Sequence, residues 1–323
     1  MGKTVSELGE RRLIADLRKS IPGLRTVGDD SAVLPRGLQC PVVTTDSFFE
    51  GTHFHRWWAP PAVLGRRFLE ATISDIAAMG AQPLWLMVAL SLEPSMEVDW
   101  LTDFIRGLDQ RQDVTIAGGE TVGGKNFGLT LTAIGEGSDP KTLMTRSSLK
   151  AGDSLWVSGR LGRALDAPSL LEKTGGMTGE SLMPVEGSIS RDRLVQLRAF
   201  LKPKAELDLG MELRKAGIRT AIDISDGLFS EAQHLARESG VGVRLEIKES
   251  LFFDSVRMRP LKASAAGEDF VLLFAASPKA DFTSKGCKRA GVAEPGDGWV
   301  RVFIRGKEAD VGEMGYDHLE VHN

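Results

Sequence analysis

Short apolar, β-branched segments alternate with longer segments of helical period along most of this chain. Four strand-like segments in the first half cover residues 41–48, 84–92, 114–117 and 127–134. Residues 5–19, 60–78 and 96–111 carry apolar side chains at helical spacing. Because alternating strands and helices are typical of α/β proteins, the sequence predicts the α/β class.

The polar stretch from Gly137 to Asp153 interrupts this alternation and predicts a domain boundary. We place the boundary after residue 148, which gives domains 1–148 and 149–323. The second half then predicts strands at 154–158, 220–224, 242–247, 270–275 and 299–304, with helices at 161–173, 190–201, 205–216, 227–239 and 278–290. Residues 174–188 are rich in Gly, Ser and Met and predict a mobile loop.

Charge and cysteine content exclude several classes of protein. The formal net charge is −4 over 323 residues and the Lys and Arg residues are dispersed, which argues against a nucleic-acid partner. Cys40 and Cys287 lie far apart, so neither a disulfide framework nor a zinc site is predicted. The longest uncharged apolar run, Leu84 to Leu92, is about half the length needed to cross a bilayer. We therefore expect a cytoplasmic protein without a membrane partner.

Short acidic phrases stand where strands or helices should begin or end. They are Gly28-Asp29-Asp30, Thr44-Thr45-Asp46, Ser74-Asp75, Gly118-Gly119-Glu120-Thr121, Asp223-Ile224-Ser225-Asp226-Gly227 and Gly267-Glu268-Asp269. If several of these carboxylates converge they repel one another, by roughly 4 kcal/mol for a pair about 4 Å apart at an effective dielectric near 20. A divalent cation resolves that repulsion, and hard oxygen ligands favour Mg²⁺ with substrate phosphates completing its shell.

The individual phrases differ in how strongly they indicate a site. Asp is depleted from strands, so Asp46 inside a strand-like run favours a functional role, and Asp75 near a helix C-terminus is an electrostatic misfit that favours a ligand. Asp30 has an equally good interpretation as a turn residue. Asp226 alone favours helix capping, but Asp223 lies on the same strand face and raises the odds of a ligand pair.

The sequence lacks the common nucleotide-binding motifs, so any phosphate must be bound by other residues. Neither GxxxxGK[ST] after a strand nor GxGxxG is present, so phosphate handling is expected to depend on metal. Arg146, near the predicted boundary, is either a solvated linker residue or a bidentate phosphate ligand. His53 is either an ordinary surface or packed histidine or part of a site beside Phe48, Phe49, Trp57 and Trp58, whose aromatic faces suit a cationic heterocycle.

Seven phrases in order resemble one family over nearly the whole chain. They are Gly-Asp-Asp-Ser-Ala-Val from Gly28, Val-Thr-Thr-Asp-Ser-Phe-Phe-Glu-Gly-Thr-His-Phe from Val43, Ile-Ser-Asp-Ile-Ala-Ala-Met-Gly-Ala-Gln-Pro from Ile73, Gly-Gly-Glu-Thr from Gly118, Leu-Met-Thr-Arg-Ser from Leu143, Ile-Asp-Ile-Ser-Asp-Gly-Leu from Ile222 and Gly-Glu-Asp-Phe from Gly267. This order and spacing resemble the thiamine-monophosphate kinases of the PurM-like superfamily, which is related to aminoimidazole ribonucleotide (AIR) synthetase.

The resemblance implies a two-domain α/β (α+β) architecture, each domain a mixed sheet packed with helices. It implies a homodimer formed through the N-terminal sheet, with ATP and several Mg²⁺ ions held between the domains. The implied reaction is ATP-dependent phosphorylation of thiamine monophosphate to thiamine diphosphate.

The resemblance also implies roles for individual residues. The metal ligands would be Asp30, Thr44, Thr45, Asp46, Asp75, Glu120, Asp223 and Asp226. Asp46, Asp75 and Asp226 would be the catalytic residues among them. Gly119, Glu120, Arg146 and Ser225 would bind ATP, and His53 and Glu268 would bind the substrate.

Two departures from the family pattern leave alternatives open. Glu120 stands where the family usually has Asp, and Glu313 stands where it has an aromatic residue. The alternatives are another ATP-dependent enzyme of the superfamily, such as an AIR synthetase-like enzyme, or a noncatalytic nucleotide-binding relative. A selenophosphate synthetase would need a reactive Cys in an N-terminal Gly-rich loop, and the hydrogenase-maturation relative would end in Cys. This sequence matches neither pattern.

Overall fold

The computed structural model describes residues 3–8, 10–24 and 37–311, which form two compact units. Unit 1 contains the described residues of 1–76, 82–138 and 170–188. Unit 2 contains the described residues of 77–81, 139–169 and 189–323. The domain boundary after residue 148 stays a prediction.

Helices and strands alternate along both units. The helices are α1 (Val5–Leu8), α2 (Glu10–Ser20), α3 (Pro61–Ala78), α4 (Val98–Leu108), α5 (Ala167–Lys173), α6 (Arg191–Leu201), α7 (Leu207–Lys215), α8 (Leu228–Ser239) and α9 (Pro260–Ser264). The strands are β1 (Pro41–Phe49), β2 (Gln82–Leu92), β3 (Thr115–Gly123), β4 (Gly128–Glu136), β5 (Ser154–Val157), β6 (Met177–Thr178), β7 (Met183–Pro184), β8 (Thr220–Asp223), β9 (Gly242–Ile247), β10 (Leu272–Ala276), β11 (Lys288–Glu294), β12 (Val300–Ile304) and β13 (Lys307–Ala309). The predicted α/β class is confirmed.

Unit 1 is built on a mixed sheet whose described strands run in the order β1-β4-β2-β3. β4 is antiparallel to both of its neighbours, and β3 is parallel to β2. α3 covers one face, where the rings of Phe48 on β1 and Phe68 stack with centroids 4.4 Å apart. The long helix therefore buries one side of the sheet.

Exposure alternates along β1, as the strand period of two requires. The even-numbered residues 42–48 are half-buried, on the side of α3. The odd-numbered residues 41–49 are exposed on the other side. Alternate side chains of β1 thus lie on opposite faces of the sheet. Thr44 and Asp46 therefore face α3, whereas Thr45 lies on the exposed face.

Unit 2 contains a larger mixed sheet, with described strands in the order β13-β12-β9-β11-β5-β10-β8. β9 and β12 are parallel, and the other neighbouring pairs are antiparallel. The core joins strand residues to the apolar stripe of α8, which includes Leu228, Ala232 and Leu235. This packing fixes the N-terminal end of α8 beside the end of β8.

The helix predicted at 278–290 is wrong. Residues 283–285 form a short 3-10 turn that ends at Gly286, whose φ of 79° is left-handed, and the chain then enters β11. β11 pairs with β5 on one side and with β9 on the other, so sheet pairing outweighs the local helical pattern.

Three other predicted segments are corrected in extent. The strand predicted at 114–117 continues as β3 to Gly123 because it pairs with β2 as far as Leu92. The helix predicted at 161–173 begins only at Ala167, since Gly162 and Asp166 have φ of 85° and 64°. The loop predicted at 174–188 contains the β6-β7 hairpin.

Across the residues that the structure describes, no helix is both long enough and apolar enough to span a bilayer.

Candidate functional site

The first acidic cluster lies in unit 1, between β1 and the last turn of α3. Thr44 and Asp46 are on the face of β1 that α3 covers, and the Thr44 hydroxyl donates to Asp75 Oδ2 at 2.5 Å. Burial raises the pKa of Asp46 to about 6, and the negative charge of Asp75 adds to the shift. The Asp75 carboxylate therefore stands close enough to Asp46 to oppose its ionisation.

This cluster offers ligands that suit Mg²⁺. Its donors are carboxylate and hydroxyl oxygens, and burial together with the Asp75 charge raises the pKa of Asp46 in spite of a hydrogen bond from the Thr72 side chain. Thr45 has a different setting, because its hydroxyl pairs with the Thr132 hydroxyl at 3.0 Å on the exposed face of the sheet. The side chain of Thr45 is thus separated from Asp46 and Asp75 by the sheet.

Gly119 and Glu120 lie within β3, in parallel register with Val88 and Ala89 of β2. A Cβ added to Gly119 would lie 1.7 Å from the Val88 carbonyl oxygen, so this position accepts no side chain. Glu120 is exposed, and its Oε1 accepts a hydrogen bond from the Thr121 N–H at 2.7 Å. The glutamate is therefore folded back on its own backbone.

His53 lies in the turn that follows β1. Its Nδ1 accepts a hydrogen bond from the Phe49 N–H at 3.0 Å, so the neutral ring carries its proton on Nε2. The Phe48 ring meets it edge to face, with centroids 6.2 Å apart. Close by, His55 stacks on Trp57 at 5.5 Å. Of the aromatic residues expected beside His53, Phe48 and Phe49 contact its ring, whereas Trp57 and Trp58 contact His55.

The second acidic cluster lies in unit 2, between β8 and α8. Asp223 ends β8 and is buried, and Ser225 and Asp226 follow it before the helix. Gly227 occupies the N-cap position of α8, so Asp226 lies one residue before it and is not the N-cap residue.

The buried side chain of Glu231 holds the Ser225–Asp226 segment by hydrogen bonds. Glu231 Oε1 accepts hydrogen bonds from the Asp226 N–H at 3.0 Å and the Ser225 hydroxyl at 3.3 Å. Burial raises the pKa of Glu231 to about 7, against the opposing hydrogen bond from Asp226 N–H. The Arg146 guanidinium also acts on this carboxyl, which places its charge near the Ser225 segment.

Arg146 and Glu268 border the same segment of unit 2. Arg146 is exposed, and its carbonyl accepts a hydrogen bond from the Ser239 hydroxyl at 2.9 Å. The Glu268 N–H donates to the Ser225 carbonyl at 2.6 Å. The structure thus brings Arg146, Ser225, Asp226 and Glu268 together.

The predicted site residues fall into separate groups within the two units. One group is Thr44, Asp46 and Asp75 in unit 1, and the other surrounds Ser225 in unit 2. Asp30 and Glu313 lie outside the described residues. Within residues 3–8, 10–24 and 37–311, no three His, Cys, Asp or Glu side chains form a group able to hold a metal ion. The individual ligand assignments stay predictions.

Two residues of these clusters were missed from the sequence. Glu231 stands in the apolar stripe of a predicted amphipathic helix, between Leu228 and Leu235, and a charge in such a stripe is the signal that would have indicated it. Asp269 belongs to a quoted acidic phrase, but no role was assigned to it. It is 1% exposed and accepts two backbone hydrogen bonds.

Residues 28–137 match the family described as AIR synthase related protein, N-terminal domain. Together with the two mixed sheets, this match defines the chain as a PurM-like enzyme of the AIR synthase-related class. A thiamine-monophosphate kinase of Synechococcus elongatus is 32% identical over 85% of this chain and 84% of its own length. The chain belongs to the thiamine-monophosphate kinase family, a family of kinases.

A further sequence match and a structural match cover almost the whole chain. A thiamine-monophosphate kinase of Aquifex aeolicus is 29% identical, covering 98% of this chain and 99% of its own. A solved structure described as AaThiL complexed with AMPPCP and TMP has a TM-score of 0.75 and 27% identity, with 98% and 99% of the two chains covered. The likeness therefore extends over both units.

Proposed function

We propose that this chain transfers the γ-phosphoryl group of ATP to thiamine monophosphate, which forms thiamine diphosphate, with the assistance of several Mg²⁺ ions. The observation that carries the proposal is the full-length likeness to a protein solved with AMPPCP, an ATP analogue, and TMP. The Asp46 and Asp75 carboxylates support it, because a metal-nucleotide substrate would neutralise their mutual repulsion.

The proposed reaction needs little help from a base. The attacking group is a phosphate oxygen of thiamine monophosphate, and the second pKa of a phosphate monoester is about 6, so the nucleophile is already ionised near neutral pH. The barrier lies in bringing two anions together in line, which places catalysis on positioning and charge neutralisation. A site rich in carboxylates suits that chemistry.

Each group of residues has a part in this proposal. Arg146, Ser225, Gly119 and Glu120 hold ATP, and a guanidinium suits phosphate because it donates in a planar fork. His53 and Glu268 hold thiamine monophosphate, whose cationic heterocycle attracts a carboxylate and an aromatic surface. The residues that would hold Mg²⁺ are Asp30, Thr44, Asp46, Asp75, Glu120, Asp223 and Asp226, together with Thr45, which would do so only through its backbone because its hydroxyl lies on the other face of the sheet. The chemistry that Mg²⁺ supplies when bound is neutralisation of the phosphate oxygens.

The proposal extends to the setting in which the reaction occurs. We infer a homodimer in the cytoplasm, with ATP and thiamine monophosphate as its small-molecule partners. The dispersed charges and the net charge of −4 support the absence of a nucleic-acid partner.

The direct test is product formation by the purified protein. The protein is incubated with ATP, Mg²⁺ and thiamine monophosphate, and thiamine diphosphate is measured by chromatography, with parallel reactions that contain EDTA or lack the acceptor. We expect Mg²⁺-dependent formation of thiamine diphosphate in step with ADP. Consumption of ATP with another phosphate acceptor but not with thiamine monophosphate would favour an AIR synthetase-like enzyme. ATP binding without turnover of any acceptor would favour a noncatalytic relative.

A further inference from the structure

Asp269 is a buried carboxylate that joins two loops of unit 2. Its side chain is 1% exposed, and each of its oxygens has a separate backbone partner. Oδ2 accepts a hydrogen bond from the Gly162 N–H and Oδ1 one from the Arg163 N–H, both at 3.0 Å. The Arg163 Nε lies 3.6 Å from Oδ1. Both acceptor atoms are thus committed to the loop that precedes α5.

The turn that carries Asp269 has an unusual backbone. Gly267, Glu268 and Phe270 have φ of 66°, 50° and 47°, all in the left-handed region. A positive φ is uncommon for residues with a side chain, and such residues persist only where the surroundings hold them. Asp269 lies between the two non-glycine residues that depart from ordinary geometry.

On one side, this turn is tied to the segment that carries the second acidic cluster. The Glu268 N–H donates to the Ser225 carbonyl at 2.6 Å, and the Asp269 and Phe270 N–H groups donate to the Ile224 carbonyl at 3.1 and 2.8 Å. A Cβ at Gly267 would lie 2.5 Å from the Ser225 carbonyl oxygen, so only glycine permits this approach. The backbone of Glu268 is therefore held directly against the Ser225 segment.

On its other side, the turn is held by a loop that is itself braced. Gln196 is fully buried, and its NH₂ group lies within hydrogen-bonding distance of the carbonyls of Gly162, Arg163 and Leu165, at 3.1, 3.2 and 2.6 Å, so that two of them share a hydrogen. Its Oε1 accepts from the Ser255 hydroxyl at 2.7 Å and from Arg193 at 3.0 Å. The hydrogen bonds of Gln196 thus fix the 162–165 loop, and Asp269 attaches the 267–270 turn to that loop.

We propose that Asp269 is a positioning residue that holds Glu268 in its left-handed conformation and so presents the Glu268 carboxylate to the phosphate acceptor. Asp269 is buried, so it acts through the backbone and not by touching substrate. The inference rests on the proposed function, since it assigns Glu268 to thiamine monophosphate.

Asparagine is the sharpest replacement for Asp269. It has nearly the same shape, but it has one acceptor oxygen where the aspartate has two, and its NH₂ group would face one of the two backbone donors. Asp269→Asn therefore removes one of the two hydrogen bonds between this side chain and the Gly162–Arg163 backbone without leaving a large cavity. If this variant yields no folded protein, Asp269→Ser, which keeps one acceptor without an opposing NH₂, is used in its place.

A matched control comes from the same loop. Asp166 also has a positive φ, 64°, but its carboxylate pairs with Arg193 and Arg259 and not with the backbone that Asp269 holds. Asp166→Asn removes the same charge from the far side of the loop. It therefore reports the kinetic effect of loosening unit 2 without releasing Glu268.

The experiment measures steady-state kinetics of the full chain with ATP and thiamine monophosphate, well below the Tm of every variant. We expect Asp269→Asn to raise the KM for thiamine monophosphate at least tenfold, with kcat and the KM for ATP changed less than threefold. Asp166→Asn should change none of these constants by more than twofold. A merely structural role would lower the active fraction, and hence the apparent kcat, while it left KM unchanged.

A double-mutant cycle with Glu268→Ala then tests whether Asp269 acts through Glu268. We expect Glu268→Ala to raise the acceptor KM in the wild type and to change it less than twofold in the Asp269→Asn background. Additive effects on KM, or an unchanged KM in Asp269→Asn, would overturn the positioning role. A wild-type protein that forms no thiamine diphosphate would instead refute the proposed function.

Discussion

At the scale of single residues, Asp46 is distinguished by what opposes its charge. Burial and the neighbouring Asp75 raise its pKa to about 6, from an ordinary value of 3.8. Because the folded pKa exceeds the unfolded one, folding disfavours the ionised carboxylate. Stability without metal should therefore fall as pH rises from about 4 through 6. On the proposed function, a bound cation would relieve the repulsion between these two carboxylates.

Replacing either aspartate should separate activity from stability. We expect Asp46→Asn and Asp75→Asn to abolish Mg²⁺-dependent phosphoryl transfer. In EDTA at pH 7.5, Asp46→Asn should keep or raise the free energy of unfolding, by up to about 1–3 kcal/mol, since the uncompensated charge is gone. Urea unfolding between pH 4 and 7.5 measures this, and the gain should vanish near pH 4.

A control with the opposite sign is available in the same unit. A hydrogen bond from Arg111 lowers the pKa of Asp113, so Asp113→Asn should lose stability at pH 7.5 under the same conditions. Clear destabilisation of Asp46→Asn in metal-free buffer would identify Asp46 as a structural acid.

Two substitutions of Glu120 separate the effect of its charge on activity from the effect of its side-chain length. Mg²⁺ requires ligands at about 2.0 to 2.1 Å, so a carboxylate one methylene longer than Asp must fold back to serve as a ligand. Its hydrogen bond to the Thr121 N–H shows a conformation folded in this way. We expect Glu120→Asp to change kcat by no more than tenfold, or about 1.4 kcal/mol of barrier, and Glu120→Gln to lose most activity. A fully active Glu120→Gln would show that Glu120 is no metal ligand.

At the scale of elements, β3 depends on a glycine that local pattern does not explain. The Val88 carbonyl of β2 occupies the space that a Cβ at Gly119 would need. Gly119→Ala should therefore lower the free energy of unfolding by at least about 3 kcal/mol, because β2 and β3 must separate locally. Gly123→Ala in the same strand meets nothing within 4 Å and should change it by less than about 1 kcal/mol. Urea unfolding of both variants without ligand checks this contrast, and equal effects would contradict it.

The local sequence pattern is enough to predict some helices and strands of this protein but not others. α3 and β2 were predicted within two residues of their ends, because proline, glycine and apolar period agree with their tertiary setting. Residues 278–290 were predicted as a helix, yet Lys288–Glu294 pairs with β5 and β9. A strand between two partners takes its conformation from them, and those partners lie more than 30 residues away in sequence.

At the scale of the whole molecule, the sheet of unit 1 has a face that α3 does not cover. On β1 this face carries Val43 and Phe49, which are 61% and 47% exposed. A homodimer through this sheet, expected from the family resemblance, would bury such apolar side chains. We expect the protein to have twice its chain mass of 35.0 kDa in light scattering, and Val43→Asp to shift it toward the monomer.

Met258→Asp is the matched control for this prediction. Met258 is 74% exposed in unit 2, so its replacement adds the same charge to the unit that does not contain this sheet and should leave the mass unchanged. A wild-type protein that is monomeric at micromolar concentration would contradict the predicted dimer.

The sequence by itself determined the class of fold and the segments from which the site is built, because strand period, helix period and acidic phrases are local properties of the chain. Tertiary structure decided which of those acids act on one another. Thr44 points to Asp75 while Thr45 points to the opposite face, since the pleat of β1 separates adjacent side chains. The roles of Glu231 and Asp269 follow from the backbone N–H groups that donate to them, which are that of Asp226 for Glu231 and those of Gly162 and Arg163, more than 100 residues away in sequence, for Asp269. These contacts depend on burial and on hydrogen bonds that form only in the folded chain, so a local sequence pattern does not predict them.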